Sequence, residues 1–228
     1  MRTMRKNKRL VTALAAATVV SVGAAVAVVM TAQSAQAAFE APVAMEQTSD
    51  WKKTGWRSER EQTRCPVDTL VVGVKIDPVE GLQLGENHVK CASPAVAEER
   101  GVVVRPTGTP TKSVWIDEGD PEPVTFDCGD AAMIATTHLG TYTKGETQYR
   151  CATLQAESAV LGTAAHIVVT SSEWSDWIDA AHWNDGTLQT SFEYVCPAGS
   201  AMAGREHAHT GYGKVRFLCN TWEVRARS

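Results

Sequence analysis

The chain has 228 residues, 22 lysines and arginines against 26 aspartates and glutamates, and a formal net charge of −4 at neutral pH. That length holds one domain of ordinary to large size with a real core. The acidic balance, spread along the chain without blocks, makes a poor polyanion binder and disfavours nucleic acid as a partner.

The first nine residues carry five cations and no acid, Leu10 to Met30 runs without a charge, and Ala35-Gln36-Ala37 offers small residues for cleavage. This is the order of a secretory signal peptide over residues 1–37, and without a twin-arginine pair general export is expected. The apolar run is long enough to span a bilayer, so an uncleaved N-terminal anchor is the alternative. Cleavage removes those five cations and no acid, leaving a mature net charge of about −9. No membrane contact is expected after cleavage.

All six cysteines follow the signal, and an even number in an exported chain indicates a disulfide framework with fifteen possible connectivities. A threefold repeat selects one of them. The spans Cys65 to Cys91, Cys128 to Cys151 and Cys196 to Cys219 are 26, 23 and 23 residues long. Gly85, Gly145 and Gly213 stand six residues before the closing cysteines, and Val89, Tyr149 and Phe217 two before. Val71, Ile134 and Met202 stand six after the opening ones, and Trp51, Trp115 and Trp183 precede these by 14, 13 and 13.

Each span has the pattern of a β-hairpin, with a glycine-bearing turn and alternation before the closing cysteine. Opening and closing cysteines at the two ends of one hairpin lie close together, so Cys65–Cys91, Cys128–Cys151 and Cys196–Cys219 is the expected pairing. Each loop contributes roughly 3–4 kcal/mol by the chain-entropy argument. Strand character recurs between the hairpins at residues 101–105 and 165–170, with turn composition at Pro106 to Pro110 and at 117–121 and a weak helical pattern near Ser171 to Ala181. The expectation is an all-β protein of three disulfide-closed hairpin modules, 38–97, 98–157 and 158–228, forming one threefold body of trefoil, prism or barrel type.

The third span opens Cys196-Pro197-Ala198-Gly199 and closes Arg216-Phe217-Leu218-Cys219. It resembles the cystine loop of dermatopontin-like extracellular proteins, which begin Cys-Pro-x-Gly and carry an aromatic two residues before the closing cysteine. The likeness covers the hairpins alone. The family's Asp-Arg-x-Trp stretch is absent, and the second span opens Cys128-Gly129. The resemblance implies extracellular-matrix or carbohydrate-binding roles.

For catalysis, neither a Gly-x-Ser-x-Gly elbow nor His-Glu-x-x-His occurs, and paired cysteines leave no thiol nucleophile. No enzyme activity and no cofactor are expected. The densest polar group is Arg205, His207 and His209, which alternate on one predicted strand face, with Lys214 and Arg216 on the returning strand to lie across from them. Such a face suits an acidic sugar or carboxylate through arginine. Two histidines fall short of the three or four ligands zinc takes, so no metal is expected. At the matching offsets stand Val74, Ile76 and Pro78 in the first module and Thr137, Leu139 and Thr141 in the second, so only the third module carries these histidines.

Trp51, Trp115 and Trp183 follow the repeat and are expected in the core. Trp56, Trp174 and Trp177 fall off it and are better candidates for sugar-stacking platforms, with Glu173 and Asp176 to accept hydroxyls. The functional expectation is a secreted, non-enzymatic binding protein for a glycan or other cell-envelope or extracellular polymer. A secreted protease inhibitor presenting an exposed loop at Arg105 to Pro110 is the second reading, and a secreted hydrolase the third.

Overall fold

The computed structural model describes residues 39–47, 49–53, 61–78, 85–96, 101–117, 123–140, 145–158, 165–179, 183–184, 187–188, 191–208 and 214–226. The signal segment, Trp56 and His209 lie outside the described residues. Among the described residues there is no helix, and residues 171–179, the described part of the stretch where a helical pattern was expected, hold strand and extended chain. The described part is all β.

Five strands appear in the same order in each third of the chain. The first unit has β1 (Phe39–Gln47), β2 (Lys52–Lys53), β3 (Glu61–Arg64), β4 (Leu70–Pro78) and β5 (Gly85–Val96). The second has β6 (Val102–Lys112), β7 (Ile116–Asp117), β8 (Val124–Asp127), β9 (Ala132–Gly140) and β10 (Gly145–Ser158). The third has β11 (Ala165–Trp174) and β12 (Ile178–Asp179), then an inserted hairpin of β13 (Trp183–Asn184) and β14 (Thr187–Leu188), then β15 (Phe192–Val195), β16 (Ala201–Ala208) and β17 (Lys214–Ala226).

Within each unit the last two strands form the antiparallel hairpin closed by its own cystine, and the pairing is the expected one: Cys65–Cys91, Cys128–Cys151 and Cys196–Cys219, with Cα separations of 5.7, 5.8 and 5.8 Å. The short strand before each opening cysteine leaves its own unit. Strand β3 pairs with β9, β8 with β16 and β15 with β4, so first leans on second, second on third and third on first.

One backbone detail repeats at all three crossings. A β-bulge interrupts each hairpin at Val72, Ile134 or Ala203, turning that carbonyl out of the ladder. The amide of an opening cysteine from the neighbouring unit fills it: Cys65 to Ile134 at 3.1 Å, Cys128 to Ala203 at 2.7 Å and Cys196 to Val72 at 2.8 Å. The bulges also correct the alignment of the repeat. Met133, five residues after Cys128, pairs with Cys151 as Val71 pairs with Cys91 and Met202 with Cys219, so the second unit is one residue short at its cysteine turn.

The residue following each bulge, Gly73, Ala135 or Gly204, meets the incoming strand. A Cβ at Gly204 would sit 2.6 Å from the Phe126 carbonyl oxygen and 3.1 Å from the Leu218 Cβ, so backbone would have to yield. At Gly73 the nearest atoms are all at 3.1 Å, and two of the three are side-chain tips, Trp51 and Val195. Gly204→Ala is expected to cost roughly 1–3 kcal/mol in urea unfolding and Gly73→Ala less. Equal stability of Gly204→Ala and the parent would contradict the close crossing.

Two apolar clusters hold the strands. One gathers Phe39, Ala41, Leu70, Val104, Ala135, Trp222 and Val224, so the start of β1 and the end of β17 are core. The other surrounds the cystines with Val71, Val89, Met133, Tyr149, Met202, Val215 and Phe217. Trp222, buried to 1 % exposure, anchors the first.

Three further expectations are corrected here. Arg105 to Pro110 is not an exposed loop: it lies inside β6, paired with β10 through Gln155↔Arg105 and Leu154↔Pro106, and Gly108 (φ 80°) supplies the kink at a register shift. The tryptophan period is also different. Ser113-Val114-Trp115-Ile116 and Ser175-Asp176-Trp177-Ile178 occupy the same place, since each serine amide donates to the residue two before the closing cysteine and each isoleucine pairs four before it. Trp177, not Trp183, is therefore the counterpart of Trp115, and the β13–β14 insertion accounts for the longer spacing. Trp51 and Trp115 are half-buried, short of the full burial expected of core residues.

Candidate functional site

The third unit carries a feature that the shared scaffold does not require. Strand β16 lies between β17 and β8, with Arg205 opposite Phe217, Glu206 opposite Arg216 and His207 opposite Val215. Alternation sends Arg205 and His207 to the inner face, beside the buried Val215 and Phe217, and Glu206 and Arg216 to the outer face. The expected single cationic face of Arg205, His207 and Arg216 is thus split between two sides of the sheet. Lys214 and Arg216 were expected across from Arg205, His207 and His209, but the register sets Arg216 opposite Glu206 and puts Phe217 and Val215 opposite Arg205 and His207.

On the inner side Arg205 lies 6.0 Å from the Tyr149 ring centre and 5.9 Å from that of Phe217, and donates to the Tyr149 hydroxyl. Around it is a cavity of about 30 Å³ lined from all three units, by Ile76, Met133, Thr136, Tyr149, Arg205 and Phe217 among others. That space admits about two waters and no sugar ring. Both ring nitrogens of His207 are buried. The corrected alignment gives His207 a counterpart in the second unit, because His138 pairs with Thr147 as His207 pairs with Val215. The first unit has Ile76 there.

The outer side is different in kind. The Arg216 guanidinium stands 4.9 Å from the Trp174 ring centre and 4.7 Å from that of Trp177, and its Nε donates to Glu206 Oε2 at 2.6 Å with the second nitrogen on the same oxygen at 2.5 Å. Ser175 explains why two tryptophans bracket one arginine. Its amide donates to the Phe217 carbonyl at 2.8 Å and its hydroxyl accepts the Phe217 amide at 3.0 Å, which fixes the Trp174-to-Trp177 segment beside Arg216.

Ser113 makes the same two bonds to Tyr149 in the second unit, but the flanking residues there are Lys112 and Gln148 where the third unit has Trp174 and Arg216. The first unit sets Lys90 over Trp51 at 5.7 Å, so an aromatic–cation contact recurs there; among the described residues, one arginine against two tryptophans belongs to the third unit. Trp177 is 38 % exposed, one of few large apolar side chains so open among the described residues. Asp176 is exposed between Trp174 and Trp177 in the chain; Glu173, exposed and accepting from Ser171 at 2.9 Å, pairs with Cys219 and so alternates to the other face of the strand from Trp174, and Lys214 pairs with Asp179 at 3.1 Å.

Beneath the platform, Tyr194 stacks on Phe217 at 5.0 Å, and burial raises its phenol above the ordinary value, with the Ser175 hydrogen bond opposing. Among the described residues no three His, Cys, Asp or Glu side chains gather as metal ligands. Glu206 was not among the residues expected at the site; the signal for it was the strand alternation that sets it on the face opposite to Arg205. Three cystines mark an oxidising compartment, and no described helix is long and apolar enough to cross a membrane. Comparison of the chain with protein-family models, with curated proteins and with solved structures finds no match.

Proposed function

We propose that the protein is exported and acts as a non-enzymatic binding protein that takes a glycan or cell-envelope polymer on the outer face of its third unit. The observation that carries this reading is the Trp174–Arg216–Trp177 stack, present in one unit of a repeated scaffold and ending in an exposed ring. Aromatic faces suit the C–H faces of sugar rings, and the exposed Asp176 carboxylate next to Trp177 can accept sugar hydroxyls. The cystines and the cationic leader followed by an uncharged run support export. The weak dermatopontin-like cystine loop points to the same class of role. The inhibitor reading loses its loop, since Arg105 to Pro110 is built into a strand.

Trp177→Ala tests the proposal. The side chain is exposed, so thermal stability should hold within about 0.5 kcal/mol. Affinity on a glycan array or for insoluble polysaccharide should fall about tenfold, the equivalent of roughly 1.4 kcal/mol. Unchanged retention of the variant would remove the platform from the account.

A further inference from the structure

Resting on that reading, we infer that the ligand face seated on Trp177 is a neutral sugar surface, and that Glu206 sets this preference by occupying Arg216. Arg216 is the cation an acidic sugar would need. Its Nε and a terminal nitrogen already meet one oxygen of Glu206, and two tryptophan ring centres lie 4.9 and 4.7 Å from its guanidinium. A uronate would have to displace Glu206 or approach beside its charge, and both are unfavourable. Lys214 is held by Asp179, and the chain's negative balance repels a polyanion at long range.

A cationic ligand meets the opposite obstacle. With Arg216 4.7 Å from the Trp177 ring centre, one ring would have to serve two cations, and the guanidinium draws π density towards its own side. Contact of neutral C–H faces rests on apolar area and dispersion, which the half-buried, paired cation does not oppose. The exposed carboxylate of Asp176 then takes hydroxyl donors by charge-assisted hydrogen bonds. Glu206 is in this account a positioning residue, acting through Arg216.

The test compares retention of the full exported chain on three insoluble probes: a neutral β-glucan, cross-linked polygalacturonate and chitosan, at about 50 and about 500 mM salt. The neutral polymer should bind at least tenfold more tightly than either charged one, and raising the salt should leave that binding unchanged. Glu206→Gln, which uncovers the Arg216 charge while keeping the shape, should gain several-fold affinity for polygalacturonate, lost again at high salt. A parent that prefers polygalacturonate or chitosan overturns the inference while leaving a glycan-binding protein. Glu206→Gln that folds and gains nothing overturns the role of Glu206. Binding to none of the probes, with none on a glycan array, overturns the glycan reading itself. The parent's salt response and polymer ranking decide the case even if Glu206→Gln does not fold.

Discussion

Trp222→Ala is expected to lose about 3–5 kcal/mol of folding stability, a large share of a total of order 5–15 kcal/mol. The side chain is 1 % exposed at the end of β17, so its removal leaves an apolar cavity among residues from all three units. It also strips a polar contact, since Nε1 donates to the Asp130 carbonyl at 3.0 Å. Asn220, two residues earlier and equally buried, donates to the Gly129 carbonyl at 2.9 Å and accepts from Ser172 at 2.7 Å. Together they clamp the cysteine turn of the second unit, the turn that is one residue short. Trp222→Phe keeps most of the volume and should cost less, with about 1–3 kcal/mol for the carbonyl left without a donor. Urea unfolding followed by far-ultraviolet circular dichroism orders the three proteins, and a Trp222→Ala variant within 1 kcal/mol of the parent would refute the anchor.

Removing the third cystine should come next in size. The Cys196–Cys219 bridge closes a separation of 23 residues beside Met202 and Phe217, and both sulfurs lie in the inner cluster. Replacing both cysteines with alanine should cost about 2–5 kcal/mol. Replacing Cys196 alone should be worse, because it leaves Cys219 as a thiol able to mispair during export. Non-reducing peptide mapping of the parent should return three local pairs and no long-range one, and a Cys91-to-Cys128 link would contradict the structure. If the single and double variants melted with the parent, the bridges would contribute nothing measurable.

The three local cystines were legible because the repeat carries its own registration marks: equal cysteine spacing, a glycine at minus six and a strand-former at minus two. The hairpins follow from the same marks. What the sequence hid was phase. One residue missing beside Cys128 moved Met133 and His138 out of line with Met202 and His207, and the β13–β14 insertion made Trp183 imitate the period that belongs to Trp177. The exchange of lead strands was illegible for a different reason. Strands β3, β8 and β15 are four residues each, and nothing local in so short a segment names a partner in another unit. The candidate platform was half legible: Trp174 and Trp177 stood out as unusual, but their union with Arg216 and Glu206 depends on which face each residue takes, which a hairpin's register decides. Pro106 to Pro110 misled because a kinked strand and a turn use the same residues.

The circular hand-off of lead strands has a consequence for how this chain reaches its native state. The outer edge of β4 is made early, yet the strand that covers it, β15, is among the last segments to be synthesised, and Val195 must travel back to Gly73. Folding in step with synthesis would leave that edge open, able to recruit the β15 of another molecule and pass the exchange along as an open chain of subunits. Delivery of the whole polypeptide before any of it folds places the matching end of the same molecule at hand. Such a topology favours late, all-at-once closure, and refolding yield should fall steeply with protein concentration.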